Sequence, residues 1–234
     1  MKKPAFYVHI VESPSPDDLL DGRTEGNTLC SFLELAEIPC QYNLVVDEDY
    51  LQVALSMRVL NAVKRFDLPP IIHIAAHGNE NGIQLTNQCA SKTILPWDRL
   101  RGHLTLLGQL LNPKIGLCMS SCGGAHGKKM AAVMRPEEIP MAWIVGTSMK
   151  VNYADAALAF AVFYRGLRRG DSESELIKAM RAASGVGDFN IDYGHVVQQQ
   201  YSKEQMEGLQ RALAQLVARK TQSPGQPTSG TTRE

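Results

Sequence analysis

The chain has 234 residues, 44% of them hydrophobic and 21% charged, with 24 basic side chains balanced by 24 acidic ones. That size implies one domain with at most an appendage, and the composition is that of an ordinary globular protein. A net charge of zero gives no electrostatic ground for binding nucleic acid or an anionic membrane, and no apolar run approaches the roughly 20 residues that span a bilayer.

The N-terminus, MKKPAFYVHIVES, joins two lysines to an apolar run that is short and interrupted by polar residues. It has no small-residue cleavage site, so it reads as a first strand and not as a signal peptide. The cysteines (Cys30, Cys40, Cys89, Cys118 and Cys122) are odd in number. An odd set in a mid-sized chain argues against a disulfide framework and for a reducing, cytoplasmic setting where a reactive thiol survives.

Residues 5–11 have the β-branched and aromatic character of a strand, which Ser13-Pro14-Ser15-Pro16 breaks. A polar loop over 17–27 leads to a helix over 28–37, with Leu29, Phe32, Leu33 and Ala36 on one face and Pro39 as its stop. A second strand is expected over 42–46. Asp47 and Asp49 then open a helix over 50–66, whose stripe is Leu51, Ala54, Leu55, Val59 and Val63. The third strand, 71–76, is almost continuously apolar, as in a parallel sheet covered on both faces, and it ends in His77-Gly78. Asn81-Gly82 signals a tight turn, making 83–85 and 92–95 a small hairpin outside the main sheet.

A helix over 97–111 carries Leu100, Leu104, Leu107 and Leu111 and stops at Pro113. The stretch 114–128, KIGLCMSSCGGAHGK, supplies a fourth strand at 115–119, then two serines, Cys122 and two glycines. A short helix (128–134), a fifth strand (141–145), a loop (146–152) and a strongly apolar helix (154–167) follow. Arg168, Arg169 and Gly170 have the character of a helix C-terminus. Asp171 or Ser172 caps the next helix, which runs to about 183, with Glu173 and Glu175 in its first turn. A sixth strand over 189–197 and an amphipathic helix over 203–219 complete a single domain spanning 1–220. Residues 221–234 lack any apolar anchor and read as a disordered tail. Alternating strands and helices imply an α/β fold: a three-layer α/β/α sandwich on a mainly parallel, six-stranded sheet.

In such folds functional side chains gather at the carboxyl ends of the strands. His77 and Cys122 both fall there, each followed by glycine, and neighbouring parallel strands would bring them close. A thiol before a helix N-terminus is favoured as thiolate, and a histidine beside it moves protons to and from a substrate. The backbone N–H groups of Cys122 and Gly78 are candidates for an oxyanion hole. Taken singly, a buried cysteine is most often a small hydrophobe and a strand-end histidine most often just hydrogen-bonded. Paired at strand ends, each before a glycine, they are a stronger candidate than either alone. A metal centre from Cys118, Cys122, His126 and either His73 or His77 departs from the spacing of structural zinc sites, and Cys118 lies inside an apolar strand. CGGAHGK lacks the phosphate-loop spacing, and Lys128 precedes Lys129 where Ser or Thr is needed. No metal and no cofactor are therefore expected.

His77-Gly78, followed about 45 residues later by SSCGG, resembles the His-Gly and small-residue-Cys motifs of the caspase-like cysteine peptidases. This clan includes caspases, metacaspases, gingipains, separases and bacterial CHAT proteases. The similarity covers about 4–197. Within it, ILPWDRLRGHL looks like the segment between the catalytic strands of CHAT domains. ADAALAFAVFYRGLRRGDSESELIKAMRAA looks like the helix pair after the fifth strand, and DGRTEGNTLCSFLELAEIPCQY like the loop and first helix. The resemblance implies a sheet whose last strand is antiparallel, Cys122 as nucleophile and His77 as acid/base. It also implies peptide-bond cleavage in a protein or peptide substrate through a thioester. Separase- and CHAT-like members place an acid shortly after the fifth strand to attract a basic side chain; that position falls at Tyr153, with Asp155 two residues on. Caspases use an arginine after the first strand, and Arg23 lies in a similar loop. The balance leans to Asp155 and a basic residue. A catalytically silent scaffold is the alternative, and the apolar stripe of 203–219 is a candidate docking surface for a regulatory protein.

Overall fold

The computed structural model describes residues 4–111 and 115–221. In chain order the strands are β1 (Tyr7–Ser13), β2 (Cys40–Leu44), β3 (Pro70–Asn79), β4 (Gly82–Gln84), β5 (Leu95–Pro96), β6 (Gly116–Ser120), β7 (Trp143–Gly146) and β8 (Asn190–Tyr193). The helices are α1 (Pro16–Leu20), α2 (Glu25–Leu35), α3 (Glu48–Val53), α4 (Val59–Phe66), α5 (Trp97–Leu110), α6 (Tyr153–Arg169), α7 (Glu173–Ser184) and α8 (Gly194–Thr221), with a π-helical turn, Ala54–Arg58, joining α3 to α4.

Among the described residues, six strands lie side by side in the order β2-β1-β3-β6-β7-β8. All neighbours are parallel except β7 and β8. The strand alternation sends side chains to two separate apolar layers. On one face Ile72, Ile74, Leu117 and Met119 pack with Leu51, Leu55 and Val59 before and in α4 and with Leu100 and Leu104 of α5. On the other, Val8, Ile10, Cys118 and Val145 meet Leu29 and Leu33 of α2, Phe160 and Tyr164 of α6, and Met180 of α7. The result is an α/β fold with a mostly parallel mixed sheet between helices. At the α6–α7 corner Gly170 turns at φ +85, and Ser172 and Glu175 cap α7 reciprocally through side chain and backbone.

Several elements differ from expectation. The stretch expected as a polar loop (17–27) holds α1 and the start of α2. Ser15 Oγ accepts from Asp18 N at 3.1 Å, Pro16 occupies the first helical position, and Asp17 and Asp18 complement the dipole. The helix is too short to show an apolar stripe. The hairpin is attached to the sheet, because β3 runs on to Asn79 and pairs His77 with Gln84 and Asn79 with Gly82. The helix expected over 128–134 is a 3₁₀ helix, Gly124–Ala131, starting immediately after the Cys122-Gly123 turn. The last strand ends at Tyr193, and α8 begins at Gly194. Along α8 Met206, Leu209 and Leu213 stay about half exposed. The expected stop at Pro113 and residues 222–234 of the expected tail lie outside the described residues. Among the described residues no helix is long and apolar enough to cross a membrane.

Cys30 and Cys40 form a disulfide, their Cα atoms 5.9 Å apart, against the expectation of free thiols. An odd count requires one unpaired cysteine and leaves room for a pair; the return of the chain from α2 into β2 brings these two together. This bond removes the ground for inferring a reducing compartment. The closed loop is short, with a sequence separation of 10. Cys40→Ser is expected to cost about 2–3 kcal/mol, read as a lower denaturant midpoint with a slope at least as steep as the wild type's, because the uncrosslinked unfolded chain is more open.

Candidate functional site

The register of β3 against β6 pairs Ala75 with Ser120, so His77 and Cys122 stand two residues beyond the same rung. Both line a pocket of about 250 Å³ at the carboxyl edge of the sheet. Backbones meet there closely. A Cβ on Gly78 would lie 3.1 Å from the Cys122 carbonyl oxygen, and one on Gly123, at φ +69, would lie 2.8 Å from the Asn79 carbonyl carbon. The Gly123 position excludes a side chain, and the Gly78 contact is tighter than a Cβ ordinarily makes.

This packing decides which N–H groups are open. Gly123 N donates to Met149 O and Gly124 N to Ser121 O, whereas the Cys122 N–H has no acceptor among the described residues. On the other strand, Asn79 and Gly82 flank a two-residue turn and so exchange ladder bonds. By alternation the Gly78 N–H points away from β4. The two groups proposed for oxyanion binding are thus spared by the neighbouring turn and hairpin.

His77 Nε2 lies 3.1 Å from Asp18 Oδ2 and 2.6 Å from the Tyr153 hydroxyl, which itself donates to Asp18 Oδ2 at 3.1 Å. An imidazole that donates from Nε2 to a carboxylate keeps Nδ1 as its proton-accepting nitrogen. Burial works against ionisation of Asp18. Hydrogen bonds from Ser15, His77, Tyr153 and Arg23 outweigh it and hold the carboxyl below its usual range. Burial and the charge of Asp18 push the Tyr153 phenol above its ordinary value, so it stays a neutral donor. Asp18→Asn is expected to destabilise by about 1–3 kcal/mol at neutral pH. A depressed carboxyl stabilises above the ordinary carboxylate range and loses that contribution as pH falls through its folded value. The variant's acid limb in thermal melts should therefore be flatter than the wild type's.

The Cys122 thiol is half-buried and donates to Val151 O at 3.6 Å. Cys118 is fully buried, and burial pushes its thiol up to about 12, as a packing residue requires. A second pocket, of about 280 Å³, also borders Cys122 and includes Gly78, Gly123, His126 and Lys150. Cys122 thus borders both clefts.

Glu25, the first residue of α2, is also a pocket wall. Its side chain is 1% exposed. One carboxylate oxygen accepts from Ser120 Oγ at 2.5 Å and lies 3.8 Å from His73 Nε2, and the other has no hydrogen-bond partner among the described residues. Burying half a carboxylate without a donor is costly, and an incoming cation relieves that cost.

Of the specificity residues expected from sequence, Tyr153 lines the pocket and touches His77. Asp155 does not line it: its N–H and carboxylate are both engaged by Asn152 at the start of α6. Arg23 lies behind Asp18, pairing at 3.0 Å with that carboxylate and at 2.9 Å with Asp21. Asp18 and Glu25 were missed as site residues. Ser15-Pro16-Asp17-Asp18 carried a helix-start signal that located Asp18; nothing local marked Glu25 as buried. Among the described residues no three His, Cys, Asp or Glu side chains are grouped to hold a metal ion. Comparison with protein-family models gives no match, and no curated protein matches the chain, so no relative supplies a role for these side chains.

Proposed function

We propose that the chain is a caspase-like cysteine endopeptidase that cuts a protein or peptide after a basic residue. One observation carries this reading: Cys122 and His77 share a pocket whose buried wall, Glu25, holds a carboxylate oxygen without a partner. The Cys122 sulfur attacks the scissile carbonyl and its proton passes to His77. The Cys122 and Gly78 N–H groups receive the oxyanion. His77 returns the proton to the leaving amine, and the tetrahedral species collapses to a thioester. Water, losing a proton to His77, then releases the acid and restores the thiol. The resting contacts suit this order, since the histidine is held by Asp18 and Tyr153 and the thiol by Val151, so the imidazole serves the leaving group without a standing ion pair. Asp18 and Tyr153 act as positioning residues. The acid that selects a basic side chain is Glu25, in place of Asp155. Fluorogenic peptides with arginine, lysine or aspartate before the cleaved bond test the reading: arginine or lysine substrates should turn over and aspartate substrates should not. Turnover of aspartate substrates alone would overturn the assignment of Glu25.

A further inference from the structure

Beside the edge strand β2, away from the residues of the cysteine site, a groove of about 230 Å³ is lined by Gln41, Arg58, Asn61, Ala62 and Arg65. No lining residue is acidic. Arg58, Asn61 and Arg65 recur at helical spacing, so they share one face along and just before α4. The π-helical turn ends at Arg58, and turns of this kind recur at functional sites.

Arg58 is anchored from beneath. Its Nε–H donates to Oδ1 of Asn43, a residue only 5% exposed. The Asn43 amide nitrogen donates to Ile10 O at 3.0 Å and lies 3.0 Å from His9 Nε2, which fixes the amide's orientation. The inward Nε–H is thereby used, and the terminal guanidinium nitrogens are left for the groove. Neither Arg58 nor Arg65 pairs with a carboxylate among the described residues; Arg65 lies over the Phe66 ring, 5.1 Å from its centroid.

We propose that this groove binds the phosphate of a small molecule, as a phosphomonoester or diphosphate group. Two guanidiniums and two side-chain amides offer the planar, bidentate donor set that phosphate takes. The volume lies below the roughly 300–1,000 Å³ of pockets for drug-sized ligands, which suits a compact anion. The site is independent of the peptidase reading.

Calorimetric titration of the whole chain with orthophosphate, pyrophosphate and adenosine monophosphate, at constant ionic strength, tests it. Saturable binding of one ion per chain is expected for at least one of the three. Preference for pyrophosphate assigns a diphosphate, and preference for the monophosphate a phosphomonoester. Arg58→Gln and Arg65→Gln should each weaken binding at least tenfold. Arg58→Lys should weaken it too, because it keeps the charge and loses the fork; Cys122→Ala should leave it unchanged. Both arginines are exposed, so the variants retain the fold, which thermal melts verify. Absence of saturable binding to all three probes, or equal binding by the Arg58→Gln/Arg65→Gln double variant, would overturn the proposal.

Discussion

Replacing Cys122 with alanine is expected to lower peptide hydrolysis by about 10⁴-fold or more while leaving thermal stability nearly unchanged. The rate effect follows from the proposed covalent step, because an alanine offers no nucleophile and residues that act as a unit fail together. The small stability effect follows from the environment: the side chain is half-buried and makes one weak hydrogen bond, to Val151 O. His77→Ala should fall into the same activity range, since Tyr153 and Asp18 have no bearing on catalysis without the ring they hold. Alkylation followed by mass spectrometry gives an independent readout: Cys122 should react and Cys118, buried with its thiol pushed up to about 12, should not. Undiminished hydrolysis by the Cys122→Ala protein would sink the mechanism.

Glu25→Gln should separate function from stability. Removing one partner of a buried ion pair costs about 3–5 kcal/mol, which predicts a loss of about 10²–10⁴-fold in kcat/KM for arginine and lysine substrates. Without substrate the same change is favourable. The wild-type carboxylate is 1% exposed with one oxygen unpartnered, and a neutral amide is cheaper to bury there. A stability gain on the order of 1 kcal/mol is expected, seen as a melting temperature a few degrees higher. Activity sites commonly carry this trade. If the variant cleaves basic substrates as well as wild type does, Glu25 is not the selecting acid.

Much of the scaffold could be read from local pattern. Ile71–Ile74 and Leu117–Met119 are apolar on both faces because their strands are covered on both faces, and that burial shows directly as composition. His77 stood out because it closes such a run, and Cys122 because it follows one after two serines, each with a glycine next in line. Asp18 and Glu25 did not, because their burial arises from neighbours distant in sequence: Asp18 meets His77 and Tyr153, and Glu25 meets Ser120. The 3₁₀ form of Gly124–Ala131 was equally hidden. It follows from the close fit of Gly124 and Gly127 against Met119 and Ile144, a packing constraint with no helical period of its own.

The disulfide between Cys30 and Cys40 has a practical bearing on how the thiol can be studied. Cys30 lies in the same helix as Glu25, so the bond ties the pocket's acidic wall to the edge strand β2. Reductants added to keep a nucleophilic cysteine competent would also cut that tether. A reductant titration should therefore show two opposing responses in wild type, recovery of the thiol and loosening of the wall. The Cys40→Ser protein, already untethered, should show recovery alone.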